Sequence, residues 1–223
     1  MKLLQNNFQI PLLNKDQIDS KYPDDLETNQ FCILKVDSYD DVKDICSELG
    51  NVIHENDVVT QTTSRSLSNS YNALDFHTDH HRATLIGLYC VRQSTFGGET
   101  RLIHLSELLK FFSQEEIEIM QNTYLHEHRI FENDPENFPM LEGRDGEYNV
   151  YYSYWLAKKN ITEKQQNILK KFKELTHSIK PIELKLKPKE LLLFYNRKIL
   201  HSRTEIREGE DRLLKRIWIE TNN

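Results

Sequence analysis

The sequence predicts a mainly β fold with helices packed against its outside. Three observations carry this. Short, apolar, β-prone runs recur between residues 84 and 220, with turn residues between them. Apolar residues at helical spacing are confined to a few stretches. No alternating strand–helix–strand rhythm occurs, which argues for antiparallel pairing over a parallel sheet. A jelly roll and a sandwich both fit this pattern, and periodicity alone does not choose between them.

Taken in order, Phe31 to Val36 reads as a strand. A helix follows, with Ser38 at its N-cap and Gly50 just past its end. Its Val42, Ile45, Cys46 and Leu49 fall at i, i+3, i+4 and i+7, one buried face. Cys46 therefore reads as a small core residue. Residues 60–72 are rich in Thr, Ser, Asn and Gln and read as a loop or irregular strand. Thr84 to Val91, Thr100 to Ile103, Tyr124 to Phe131 and Tyr148 to Trp155 are predicted strands. So are Ile182 to Leu186, Leu191 to Tyr195, Ile199 to Thr204 and Leu213 to Glu220. Two helices interrupt them. Ser113 with Glu116, and Thr162 with Gln165, each form the capping-box pattern of a helix start. The second helix carries Ile168, Phe172, Leu175 and Ile179 on one stripe and turns Lys170, Lys171 and Lys173 away.

At 223 residues the chain is the length of one domain. A single domain over 1–223 is expected, with the α/β elements of 1–72 packing on a core formed by 73–223. Ten Tyr and ten Phe exclude a disordered chain. The net charge of −6 argues against a nucleic-acid partner, which needs a basic surface. Nothing approaches 18 consecutive apolar residues, so no membrane span is expected. The N-terminal MKLLQNNFQIPLL is broken by Gln5, Asn6 and Asn7 and does not read as a signal peptide. Cys32, Cys46 and Cys90 are odd in number and lack CxxC spacing, so neither a disulfide framework nor a cysteine zinc site is expected. The expected location is the cytoplasm. The oligomeric state is not legible.

Ionisable groups concentrate in Asp75-Phe76-His77-Thr78-Asp79-His80-His81. On a strand, His77 and Asp79 share a face and can bind one metal ion together. About 1.4 His-x-Asp/Glu pairs are expected by chance from this composition, so the one found carries no information alone. The residues after it do. Phe96-Gly97-Gly98-Glu99-Thr100 follows, then Leu200-His201-Ser202-Arg203-Thr204, then Arg212 and Arg216, 11 and 15 residues beyond His201.

These motifs, in this order from about Leu74 to Trp218, resemble the taurine dioxygenase/clavaminate synthase-like family of iron(II)- and 2-oxoglutarate-dependent oxygenases. The middle, roughly 105 to 190, matches only in its style of strands and helices. The resemblance implies a double-stranded β-helix core of the jelly-roll type. It implies Fe(II), with 2-oxoglutarate as cosubstrate and O2, and release of succinate and CO2 as an unactivated C–H bond of a small molecule is hydroxylated. Two imidazoles and one carboxylate on one face of octahedral iron leave three positions open for such chemistry. By motif match, His77, Asp79 and His201 are the metal ligands. Thr100 and Arg212 hold the distal carboxylate of 2-oxoglutarate, Arg212 through the planar fork that Lys lacks.

Arg216 shares a strand face with Arg212. The resemblance implies that it lies near the acidic end of the substrate or supports the site; the alternative is a salt bridge to a carboxylate behind the metal ligands. Asn72 precedes the first ligand and is a candidate to face substrate. The other histidines read as surface or hydrogen-bonded groups, so a second metal site is not expected. The aromatics from Tyr148 to Trp155 read as core or as one wall of a substrate pocket. Radical halogenases related to this family replace the carboxylate ligand by a small residue, so Asp79 favours hydroxylation, although desaturation and cyclisation use the same triad. The expected substrate is a free amino acid or other small acid, with a carrier-tethered substrate as the alternative. Two rivals remain: a zinc hydrolase using the same three residues, and a non-enzymatic jelly-roll module that binds a metal or ligand.

Overall fold

The structure, a computed structural model, describes residues 12–14, 26–60, 69–127 and 129–221. Its strands are β1 (Leu12–Asn14), β2 (Phe31–Lys35), β3 (Asn51–Val59), β4 (Leu74–His77), β5 (Leu85–Arg92), β6 (Thr100–His104), β7 (Tyr124–His126), β8 (Asn137–Pro139), β9 (Leu141–Arg144), β10 (Glu147–Val150), β11 (Ile182–Leu184), β12 (Glu190–Tyr195), β13 (Ile199–Arg203) and β14 (Leu213–Glu220). The helices are α1 (Tyr39–Leu49), α2 (Leu105–Leu109), α3 (Gln114–Gln121) and α4 (Glu163–Ser178).

A six-stranded sheet in the order β1-β2-β12-β5-β14-β3 faces a four-stranded sheet in the order β11-β6-β13-β4. Within these sheets every pairing is antiparallel except β1 with β2. Side-chain alternation explains the layers. In β12, Leu192 and Phe194 enter the core between the sheets, while Leu191 and Leu193 pack outward beneath α1. β5 repeats this, with Ile86, Leu88 and Cys90 inside and Leu85 and Tyr89 outside. Strands buried on both faces read as continuous apolar runs, which is why both were predicted.

α1 covers the outer face of the large sheet through Val42, Ile45 and Cys46. Each such aliphatic side chain contributes roughly 1.5–3 kcal/mol when buried. Ser38 and Asp41 close its capping box. The predicted boxes at Ser113 with Glu116 and Thr162 with Gln165 also form. α2, α3 and α4 cover the outer face of the small sheet, where Phe172, Leu108 and Met120 pack with Phe76 and Leu200. Among the described residues, no helix is long and apolar enough to cross a membrane.

Three predicted strands are shorter than expected, and the one from Ile182 ends at Leu184. The one starting at Tyr124 ends at His126, because the chain turns through residues 131–134, where the Asp134 carboxylate accepts from the Phe131 N–H at 2.6 Å. The one near Tyr148 ends at Val150, and Tyr154–Leu156 form a 3-10 turn instead. Residue 128 and most of the 60–72 segment lie outside the described residues.

The Gly-Gly of the 96–100 motif has a steric reason. Gly97 has φ +76°, and a Cβ there would lie 1.8 Å from the Glu205 carbonyl oxygen. Gly98 has φ +79°, and its Cβ would meet Ser94 Oγ at 2.5 Å and Arg212 Cδ at 3.1 Å. The two glycines thus let one turn dock against the segment after β13 and against Arg212. Gly97→Ala is expected to cost about 2–4 kcal/mol, from left-handed strain plus a backbone collision. Urea denaturation measures it.

Candidate active site

Strand parity brings the motif residues into one space. In β13, Ile199 joins the core between the sheets and Leu200 packs outward, so His201 and Arg203 also point inward. His201 pairs with His77 on β4 and with Leu102 on β6, and Arg203 lies directly opposite Thr100. From the facing sheet, β14 turns Leu214 and Trp218 inward, and Arg216 lies between them with the same parity. The His77 and His201 ring centroids are 4.2 Å apart.

Asp79 reaches the site by another route than expected. β4 ends at His77, so Asp79 is not on the strand but in the turn after it. Buried Asn196 fixes that turn. Its Oδ1 accepts from Asp79 N–H at 2.8 Å, and its Nδ2 donates to the carbonyls of His80 and Ala83 at 3.2 and 2.8 Å. Thr78 N–H donates to the Tyr152 carbonyl at 2.7 Å, and its hydroxyl accepts from Tyr152 N–H at 2.9 Å.

His77, Asp79 and His201 are all buried, and their ligand atoms lie within 4.8 Å of one another. Asp79 Oδ1 is 3.7 Å from His77 Nε2 and 3.9 Å from His201 Nε2. His77 Nδ1 is 2.8 Å from the Asp75 carbonyl oxygen. A carbonyl only accepts, so Nδ1 carries a proton and Nε2 is the ring atom turned toward Asp79. Burial, with His77 and Arg216 nearby, pushes the His201 imidazole down to about 3 against the pull of Asp79, so it is neutral. Burial alone would raise the Asp79 carboxyl, but the Arg216 guanidinium and the two imidazoles hold it well below the usual range. The set is two imidazoles and one carboxylate, which fits a divalent transition metal such as Fe(II). His201 Nδ1 is buried without a hydrogen-bond partner. Among the described residues no hydrogen bond to Nδ1 sets that ring's tautomer, and a cation on Nε2 would.

A pocket beside the triad is lined by Thr100, Arg203, Arg212 and Arg216, with Val58, Leu74, Leu88 and Leu214 as apolar wall. Arg212 is buried, and its Nε donates to Gln93 Oε1 at 3.1 Å. Burial and the nearby charge of Arg203 push its guanidinium down to about 10. Arg216 lines the same pocket, and its Nη1 donates to both Asp79 oxygens at 3.0 Å. Of the two readings of Arg216, the contact present is the one to a carboxylate, and that carboxylate is Asp79 itself. Asn72 is exposed and is not part of the pocket lining; its backbone carbonyl accepts from Arg203 Nη2. Of the aromatics near Tyr148, Tyr151 and Tyr152 are core, whereas Trp155 is half-exposed with its ring 5.3 Å from that of His77.

His80 and His81 do not join the triad. His80 Nδ1 accepts from Arg82 N–H at 3.2 Å, so its Nε2–H donates to Asp134, 2.8 Å away. His81 Nδ1 bonds Glu127, whose other oxygen accepts from Tyr151 OH at 2.8 Å. His80, His81 and Asp134 lie close enough to hold a cation, but their polar atoms already tie the ligand turn to residues 127–134.

Sequence reasoning missed Asn196, Trp218 and Arg203. Trp218 Nε1 donates to Asp79 Oδ2 at 2.8 Å. This leaves Oδ1 turned toward the two imidazoles, the disposition a one-oxygen ligand needs. Trp218→Phe keeps the ring but deletes the donor. Fe(II) affinity, titrated anaerobically, is expected to fall about 10–100-fold, the usual cost of losing a hydrogen bond to a ligand.

The model of the family described as taurine catabolism dioxygenase TauD, TfdA family matches residues 34–218. No curated relative matches the chain. Among solved structures, an asparagine oxygenase with Fe(II), 2S,3S-3-hydroxyasparagine and succinate is similar at TM-score 0.75 and 18% identity, over 91% of this chain and 77% of that one. The non-heme iron oxygenase OrfP with Fe and alpha-ketoglutaric acid is similar at TM-score 0.70 and 14% identity, over 91% and 79%. An OrfP D157A variant with (3S)-hydroxy-L-Arg gives TM-score 0.75 and 13% identity, over 93% and 81%. At such identities these likenesses speak to fold, and it is the predicted jelly-roll oxygenase fold.

Proposed function

The chain belongs to the taurine catabolism dioxygenase TauD, TfdA family, and from that premise we propose that it is an Fe(II)- and 2-oxoglutarate-dependent hydroxylase of a free amino acid or other small acid. The observation that carries the reading is the convergence of His77, His201, Thr100 and Arg212 on one pocket between the sheets, with the Asp79 carboxylate grouped with the two imidazoles. The amino-acid part rests on the asparagine and arginine derivatives bound in the solved neighbours.

With Fe(II) and 2-oxoglutarate bound, the site supplies an oxidation in which O2 converts the cosubstrate to succinate and CO2 and a substrate C–H to C–OH. His77 Nε2, His201 Nε2 and Asp79 Oδ1 would hold the metal. Asp75, through its carbonyl, keeps the His77 tautomer. Arg216 and Trp218 keep Asp79 ionised and oriented. Thr100 and Arg212 take the distal carboxylate of 2-oxoglutarate, a charge-assisted contact strengthened by burial. Val58, Leu74, Leu88 and Leu214 exclude water from that end. A zinc hydrolase built on the same triad would leave Thr100 and Arg212 without a task. The test is succinate formation by iron-loaded protein across free amino acids, other small acids and carrier-tethered amino acids. Stimulation by a free acid, with a product 16 mass units heavier, supports the proposal. Stimulation by tethered substrates alone contradicts the substrate class.

A further inference from the structure

Arg203 is the third guanidinium of the pocket, and it belongs to both the pocket and the chain beside it. It lies directly across the strand pair from Thr100 and two residues from His201, on the same inward face. Its Nη2 donates to the carbonyl oxygens of Ser70 and Asn72, at 2.6 and 2.5 Å. Ile206 N–H donates to the Tyr71 carbonyl between them, at 2.8 Å. The 70–72 segment is thus stitched to the end of β13. Two residues later, Leu74 begins β4 and forms pocket wall, and β4 ends at His77.

We propose that Arg203 is a positioning residue that joins the carboxylate end of the 2-oxoglutarate site to the 70–72 segment, so that filling the pocket stiffens the chain leading to His77. This rests on the reading of the pocket as the cosubstrate site. Two guanidiniums, Arg203 and Arg212, are both buried and line the same pocket. An anion arriving between them meets charge-assisted donors from each. An Arg203 held by that anion is less free to leave its two carbonyls. Cosubstrate binding and order in the segment are then linked, and linkage of this kind is reciprocal.

Hydrogen exchange read by mass spectrometry, with and without 2-oxoglutarate under anaerobic Fe(II), tests this on the wild-type chain. Amides of residues 70–74 are expected to exchange more slowly once 2-oxoglutarate binds. In Arg203→Met, 2-oxoglutarate affinity is expected to fall about tenfold, a loss of one charge-assisted contact. Saturating 2-oxoglutarate is then expected to leave 70–74 unprotected, with Fe(II) affinity unchanged. Arg203→Lys is expected to recover part of the affinity but not the protection, since a point charge cannot reach both carbonyls and the anion. Unchanged exchange at 70–74 in wild type that binds 2-oxoglutarate would overturn the proposal, as would full affinity and protection in Arg203→Met. A wild type that binds no 2-oxoglutarate at all would instead remove the reading beneath it.

Discussion

His77→Ala, Asp79→Ala and His201→Ala are each expected to lower oxygen-dependent product formation by about three orders of magnitude or more, over 4 kcal/mol of transition-state stabilisation at 1.36 kcal/mol per tenfold. In the proposed site each side chain would supply one corner of one metal face, and the three candidate ligand atoms lie within 4.8 Å of one another. Their effects on folding differ. His77 and His201 are not the carboxylate that answers Arg216, so their loss leaves that ion pair in place. Asp79 answers the partly buried Arg216, so Asp79→Ala strands a guanidinium and is expected to destabilise the chain further, by about 3 kcal/mol. Metal content, turnover and urea midpoint, measured together on the three variants, separate the roles. Near-full turnover with iron limiting in any one of them removes that residue from the ligand set.

Arg212→Ala is expected to raise the KM for 2-oxoglutarate by about one to two orders of magnitude, with a much smaller change in the KM of the substrate. A charge-assisted hydrogen bond contributes roughly 1.5–3 kcal/mol, and 1.4 kcal/mol is tenfold. Arg212 suits this because it is buried in the pocket, with its Nε already held by Gln93. Arg212→Lys should restore only part of the loss. Arg216 is the contrast. It was a candidate for the acidic end of the substrate, but its contact is with Asp79. Arg216→Ala is therefore expected to weaken metal retention first. Steady-state kinetics in both ligands, with iron titrated, check both variants. Equal KM shifts for cosubstrate and substrate in Arg212→Ala would contradict its assignment.

Much of the fold was legible because its signals are local. Strands such as β12 and β5 are apolar on both faces and announce themselves as runs. The three capping boxes mark helix starts within four residues. β3 was not read, because Asn51–Val59 alternates polar and apolar residues weakly and is mostly exposed or half-buried. Its pairing with β14 makes it a strand, and that partner is over 150 residues away. The site followed the same division. His77, Asp79, Thr100, His201 and Arg212 were singled out through motif order, and the structure brings them near one another. Asn196, Trp218 and Arg203 were not, because what each does depends on a partner 117, 139 or 131 residues distant. Arg216 stood between these cases. Its strand face was legible, but which carboxylate it meets was not.

The most direct measurement is the visible absorption of the wild-type chain, loaded anaerobically with Fe(II) and then with 2-oxoglutarate. A weak charge-transfer band is expected that needs both additions and is absent from His77→Ala and His201→Ala. No band with both present, or a band indifferent to 2-oxoglutarate, would contradict it.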